Sequence, residues 1–303
     1  MPLDRRAERL LAMLAATGGG AAALTAASRR ASLIALAEMA DDATAPAETT
    51  ILTAPGPGGD IPLRLYRPAD ATGAALLFFH GGGWVAGGFA THDGLCRRLA
   101  ASGATVIAVD YRLAPEHPFP AAFDDGLAAL RWIAANAAAL GIDAGRLAVG
   151  GDSVGGGLAA AAALAVRDGG GPALAAQLLI CPILDPAGAG GSREAFGDGH
   201  FIDRAAFAQD LKDYAPPLGD PRVAPLRAAS FAGLPPAIVH TAEFDPFRDE
   251  GEAFADALAA AGVSVRRTRH DGQIHYFYAM ARAIPAAHEA SAQIGAELRA
   301  LLD

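Results

Sequence analysis

Cysteine is nearly missing from this chain: Cys96 and Cys181 are the only two in 303 residues. They sit far apart in apolar surroundings, which excludes a disulfide-stapled scaffold and matches no metal-ligand spacing. Buried free thiols point to a reducing, cytoplasmic setting. Positive charge is also in deficit, since 24 Lys and Arg against 33 Asp and Glu leave a net charge of −9. That balance argues against nucleic acid or anionic membrane surfaces as partners and suits a small, neutral substrate. No apolar run free of glycine breaks and charges is long enough to span a bilayer. Arg5, Arg6 and Arg9 precede a small-residue stretch from Leu10 to Ala27 that superficially imitates a secretion signal. Asp4 and Glu8 dilute its basic region and Gly18–Gly20 break its apolar run, so an amphipathic helical segment is the better reading. No internal repeat is visible.

What is present is a chain that is 52% hydrophobic and 19% charged, long enough for one large α/β domain without requiring a second. Residues 1 to about 45 show helical spacing only, in Leu3, Leu10, Met13 and Leu14, then Leu33, Ile34, Leu36 and Met39. Turn residues then separate "TTILT" from the alternating "IPLRLYRP", which predicts two strands joined by a loop. Short apolar runs follow: "AALLFFH", "ATVIAVDY", "RLAVGGD", "ALAAQLLICP", "PAIVHTAEFD" and "VSVRRTRH". Helical blocks are predicted over 121–139, from near Gly155, over "RDEGEAFADALAAAG", and from about Ile284 to the end. This alternation implies a mostly parallel sheet with helices on both faces. Residues 186 to 236, rich in Gly, Pro and charge, interrupt the rhythm and read as an insertion over the sheet's carboxyl edge.

Within "VGGDSVGGGLAAAAALA" a single serine stands among glycines between a predicted strand and a predicted helix. No lysine follows those glycines, so this is not a phosphate loop, and linkers do not run on into helix-forming alanines. Gly151-Asp152-Ser153-Val154-Gly155 is a G-x-S-x-G, and strand–turn–helix is the context a nucleophile elbow needs. A helix cap by Ser153 or Asp152 is the bland alternative. On the elbow reading, Gly151 and Gly155 clear space for the strained turn, and Gly156 and Gly157 let the alanine helix press close to the sheet.

His80-Gly81-Gly82-Gly83-Trp84 directly follows a predicted strand. Consecutive glycines let backbone N–H groups turn towards a developing oxyanion with no side chain in the way. Gly82 and Gly83 are the expected donors, joined by the Val154 N–H at a helix N-terminus. His80 is expected to brace this loop rather than act as a base. The base and acid should follow the serine in the order Ser, acid, His. His275, in the loop "DGQIHYF", is preferred over His270 at a strand end, and His288 reads as a surface residue of the last helix. Asp245 follows an apolar strand and precedes Pro246; Glu243 and Asp249 are the alternatives, Asp249 lying in a helix's first turn, where carboxylates are common.

"HGGGW", "DYRLAPEHPFPAAFDD", "GDSVGGGLA", "EFDPFRDEG" and "DGQIHYF" resemble, in order, the signature blocks of bacterial esterases related to hormone-sensitive lipase. The likeness runs from about Leu3 to the C-terminus and implies an α/β-hydrolase fold. It implies a Ser153–Asp245–His275 triad, with Gly82, Gly83 and Val154 as oxyanion donors and no cofactor or metal. It further implies a helical cap from residues 1–45 and 186–220 over a catalytic domain spanning 46–303. The aspartate before the serine matches one subgroup, whereas Tyr276 replaces the family's usual glycine after the histidine. The long proline-rich block reads as support for the glycine turn. The expected partner is a small ester and the expected chemistry that of a serine carboxylesterase. A peptidase or a catalytically silent binding homologue is the alternative, and a homodimer is left open.

Overall fold

The computed structural model describes residues 1–16, 25–45 and 47–303. Two helices, α1 (Arg5–Ala16) and α2 (Ala26–Ala40), come first, as the helical spacing predicts; the Gly18–Gly20 break lies outside the described residues. Strands β1 (Glu48–Gly56) and β2 (Gly59–Arg67) pair antiparallel, with Gly56 opposite Gly59 across a two-residue turn. Ile61, Leu63 and Leu65 alternate inward along β2 while Asp60, Pro62 and Arg64 do not, the period-two pattern of a strand wet on one face.

From there the order is β3 (Ala75–Phe79), α3 (Phe89–Ala100), β4 (Thr105–Val109), α4 (Ala121–Ala135), β5 (Leu147–Asp152), α5 (Val154–Gly169) and β6 (Ala176–Ile180). Then come α6 (Gly191–Phe196), α7 (Arg204–Tyr214), β7 (Ala237–Phe244), α8 (Arg248–Ala260), β8 (Val265–Ile274) and α9 (Ala286–Leu302). The eight strands form one sheet in the order β1-β2-β4-β3-β5-β6-β7-β8. β4 through β8 run parallel, and β2 meets β4 antiparallel.

Every residue of β3, β4, β5 and β6 is buried because helices cover both faces. Alternate residues still part company: Leu77 and Phe79 join the core beneath α4, α5 and α8, whereas Leu76 and Phe78 join the one beneath α3 and α9. Burying each such side chain contributes about 1.5–3 kcal/mol. Among the described residues no helix is long and apolar enough to cross a membrane.

Two elements differ from the sequence expectation. Helix α3 has only Leu95, Cys96, Leu99 and Ala100 as apolar anchors and buries Thr91, His92 and Arg98 beside them, so it carries no clean apolar stripe. Strand β8 continues through "HDGQI", which reads as a loop. Ala242 pairs with His270 and Phe244 with Ile274, so Asp271, Gly272 and Gln273 bulge opposite the single residue Glu243. Gly272 takes a φ of +74° there, and its glycine serves a bulge rather than a turn after the strand. The bulge sets the register that places Asp245 and His275 side by side, each one residue past a paired position.

Candidate active site

All the predicted site residues leave the carboxyl ends of neighbouring strands, where a parallel sheet presents its loops. Phe79 pairs with Gly151, so the turn His80–Trp84 after β3 and Ser153 after β5 emerge together at the sheet's centre. Ser153 has φ +56° and ψ −125°, a left-handed-side backbone between strand and helix. Such a turn closes only because its neighbours lack side chains. A methyl group on Gly155 would overlap the carbonyl oxygens of Phe79 and His80, and one on Gly151 would overlap those of Gly155 and Phe79. Of the other two glycines, Gly156 faces Pro182 and the Gly151 carbonyl of β5, the close approach to the sheet that was expected, whereas Gly157 faces the Ile183 carbonyl in the segment after β6. Ser153 itself makes no side-chain cap bond to the helix, which removes the capping alternative for it.

The Ser153 Oγ lies 3.0 Å from His275 Nε2, and His275 Nδ1 lies 2.7 Å from Asp245 Oδ2. All three side chains are buried. The second Asp245 oxygen accepts the Phe247 N–H at 2.7 Å, which fixes the carboxylate's orientation. The rejected candidates have other duties. His270 bonds His240 at 2.8 Å, and His240 reaches Glu297 at 3.0 Å, a separate chain between β7, β8 and α9; burial pushes His270 down to about 4. His288 is half exposed beside Asp42. Glu243 accepts the Gly272 N–H at 2.7 Å, and Asp249 accepts the Ser192 N–H at 2.8 Å.

In the turn after β3, Gly82 and Gly83 adopt φ of +122° and +67°. Among the described residues neither spends its N–H in a hydrogen bond. Val154 opens the 16-residue helix α5, where a first-turn N–H has no intrahelical acceptor. His80 braces the turn as expected: its Nδ1 meets the Gly81 carbonyl at 2.8 Å and its ring stacks on Tyr111 at 4.2 Å. Desolvation pushes it down to about 3, so it stands neutral. The proline-rich block supports the same turn through Tyr111, whose hydroxyl donates to the His80 carbonyl at 2.6 Å, and through Ala114, whose N–H donates to Trp84 at 2.9 Å.

Sequence reasoning overlooked a buried network beneath the site. Asp152, fully buried, accepts the Gly81 N–H at 2.9 Å and meets His92 Nε2 at 3.1 Å, while the Tyr278 hydroxyl donates to it at 3.3 Å. Asp152 thus orients the glycine turn and is the partner of His92, not of His275. Its position beside the serine was visible, but His92 sits on the unrecognised α3. Tyr276 explains the departure from glycine: φ is +67°, a conformation glycine adopts freely and other residues at a cost of about 1–2 kcal/mol. Its ring is buried and its hydroxyl donates to the Thr91 carbonyl at 2.9 Å, which ties the histidine loop to α3. Phe247, edge-on to His275 at 5.4 Å, also lines a cavity of about 310 Å³ with Arg193, Ile202 and Phe207. Cys181 is buried as expected, its thiol pushed up by desolvation and by Asp245.

A nucleophile elbow, a serine–histidine–carboxylate chain and a glycine turn at the sheet's carboxyl edge define an α/β-hydrolase. A family model described as an alpha/beta hydrolase fold matches residues 76–279, and the chain belongs to that family, on the branch related to hormone-sensitive lipase. It is 42% identical to the carboxylesterase NlhH of Mycobacterium tuberculosis over 252 residues, which cover 80% of this chain and 79% of the relative. It is 42% identical to the ethyl acetate hydrolase of Pseudomonas putida over 243 residues, covering 77% and 76%. Among solved structures, the ester-hydrolase EH1AB1 from the metagenome of Lake Arreo superposes with a TM-score of 0.93 at 42% identity, covering 98% of each chain.

Proposed function

We propose that this protein is a serine carboxylesterase in which Ser153, His275 and Asp245 act as nucleophile, base and orienting acid. The observation that carries the reading is the Asp245–His275–Ser153 hydrogen-bond chain; the Gly82 and Gly83 N–H groups, uncommitted among the described residues, support it. His275 Nε2 takes the Ser153 proton as Oγ attacks the ester carbonyl, while Asp245 holds the Nδ1–H tautomer and stabilises the imidazolium. The oxyanion forms against Gly82, Gly83 and Val154, each donor contributing on the order of 3 kcal/mol. His275 then protonates the departing alcohol, and a water it deprotonates releases the acid. This sequence of steps uses no cofactor. Helices α1 and α2, with residues 186–220, serve as the cap; Arg29 of α2 reaches the Ala206 carbonyl of α7, which supports that division. Buried thiols support a cytoplasmic site of action.

Labelling with a stoichiometric organophosphate and mapping the adduct tests the reading directly. One equivalent on Ser153 with complete loss of ester hydrolysis is expected, and an adduct elsewhere would overturn it. Short acyl chains are the proposed substrates, supported by the modest cavity beside Phe247 and by a relative that acts on ethyl acetate. Across p-nitrophenyl esters, kcat/KM should peak between C2 and C6 and fall at least about tenfold by C12. A profile still rising at C12 contradicts the short-chain assignment.

A further inference from the structure

Asp210 is a carboxylate in an unexpected place. It lies on α7, is 3% exposed, and sits so close to the glycine turn that a methyl group on Gly83 would overlap its Oδ2. Arg29 of α2 forms an ion pair with it, although 181 residues separate the two in the chain. The next residue, Arg30, donates to the Val85 carbonyl at 2.8 Å and the Ala114 carbonyl at 3.0 Å, just beyond the same turn. Consecutive arginines of α2 therefore grip the turn and the helix that leans on it.

We propose that Arg29 is a positioning residue for ester hydrolysis, one that neutralises Asp210 so that no unpaired negative charge stands beside Gly83 where the oxyanion develops. The inference rests on the assignment of Gly83 as an oxyanion donor. The physical reason is simple. In a dry site two like charges a few ångströms apart repel by several kcal/mol, and this repulsion appears only in the transition state, because a neutral ester carries no charge to repel. The charged groups acting on Asp210 are Arg29 from α2 and Asp213 from its own helix, of opposite effect. Burial pushes Asp210 up to about 7 even with the cation beside it. Arg29 holds that value down, so its removal moves the titration further up: Asp210 is then neutral at low pH and becomes an uncompensated anion only towards the alkaline end.

The test is hydrolysis of ethyl butyrate in a pH-stat from pH 6 to 9.5, with kcat and KM resolved. The wild-type enzyme should reach a plateau on the alkaline side. Arg29→Met should follow it at low pH and then lose about tenfold or more in kcat as pH rises, with KM little changed. Arg29→Lys should restore the plateau, and so should Arg29→Met combined with Asp210→Asn, which removes the charge itself. If Arg29→Met does not fold, as judged by circular dichroism, Arg29→Gln takes its place. A bridge that merely anchors the cap would give a loss independent of pH that the double substitution does not relieve, and that result overturns the proposal. So does an unaltered profile in the single variant. Organophosphate labelling of Ser153 in the wild-type enzyme keeps the two questions apart: failure there removes the esterase assignment, whereas a labelled, active enzyme with pH-independent variants removes only this one.

Discussion

Ser153→Ala should lower kcat for a short-chain ester by about 10⁶-fold while leaving the protein folded. The size of the loss follows from the absence of any substitute. The hydroxyls of Tyr276 and Tyr278 are committed, to the Thr91 carbonyl and to Asp152, and Cys181 is buried with its thiol pushed up towards the protonated form. What survives is whatever the glycine turn and binding supply alone, about 10³–10⁴-fold over water in comparable sites. The serine makes little contribution to stability, since among the described residues its Oγ has one partner, His275. Its backbone at φ +56° is a cost that alanine shares and glycine does not. Ser153→Gly should therefore unfold at a higher temperature than Ser153→Ala while being equally inactive. Melting curves alongside single-turnover rates check both halves. A Ser153→Ala enzyme within tenfold of wild type would remove serine catalysis altogether.

That strain also explains which parts of the molecule were legible in the sequence. The elbow and the glycine turn are written locally, because only glycine fits the close approach at Gly155 and glycine takes the left-handed backbone at Gly83 without cost. The five-residue strands β3, β4 and β6 announce themselves as continuous apolar runs bounded by turn residues. Helix α3 was illegible because it buries His92 and Arg98, whose partners Asp152, Asp41 and the Tyr278 carbonyl lie 57 to 180 residues away. The Arg29–Asp210 pair was hidden for the same reason. A glycine at 272 is free to take a positive φ, yet whether that freedom makes a turn or a bulge depends on the pairing of His270 with Ala242 and of Ile274 with Phe244 on β7. Sequence gives the residues that shape their own backbone; it does not give those whose purpose is set by a distant partner.

The choice of acid is the part of the site that only geometry could decide, and Asp245→Asn tests it with the second largest expected effect. Asp245 uses Oδ1 to accept the Phe247 N–H and Oδ2 to face His275 Nδ1, both at 2.7 Å. An asparagine there must keep its oxygen on the Phe247 side, because an NH₂ group facing an N–H would leave two buried donors opposed. Its NH₂ then points at His275 Nδ1 and forces that nitrogen to accept. The proton moves to Nε2, the nitrogen that must take the proton of Ser153, and the base is lost with almost no change in structure. A fall in kcat of about 10⁴-fold is expected, with KM nearly unchanged because substrate contacts are intact. Asp249→Asn provides the contrast: it weakens a bond to the Ser192 N–H at the start of α6 and should cost only stability, about 1 kcal/mol, with kcat within a few-fold of wild type. If Asp249→Asn proved the more damaging of the two, the relay would have to run through the first turn of α8. The distance of 2.7 Å between Asp245 and His275 would then hold the imidazole without setting its tautomer.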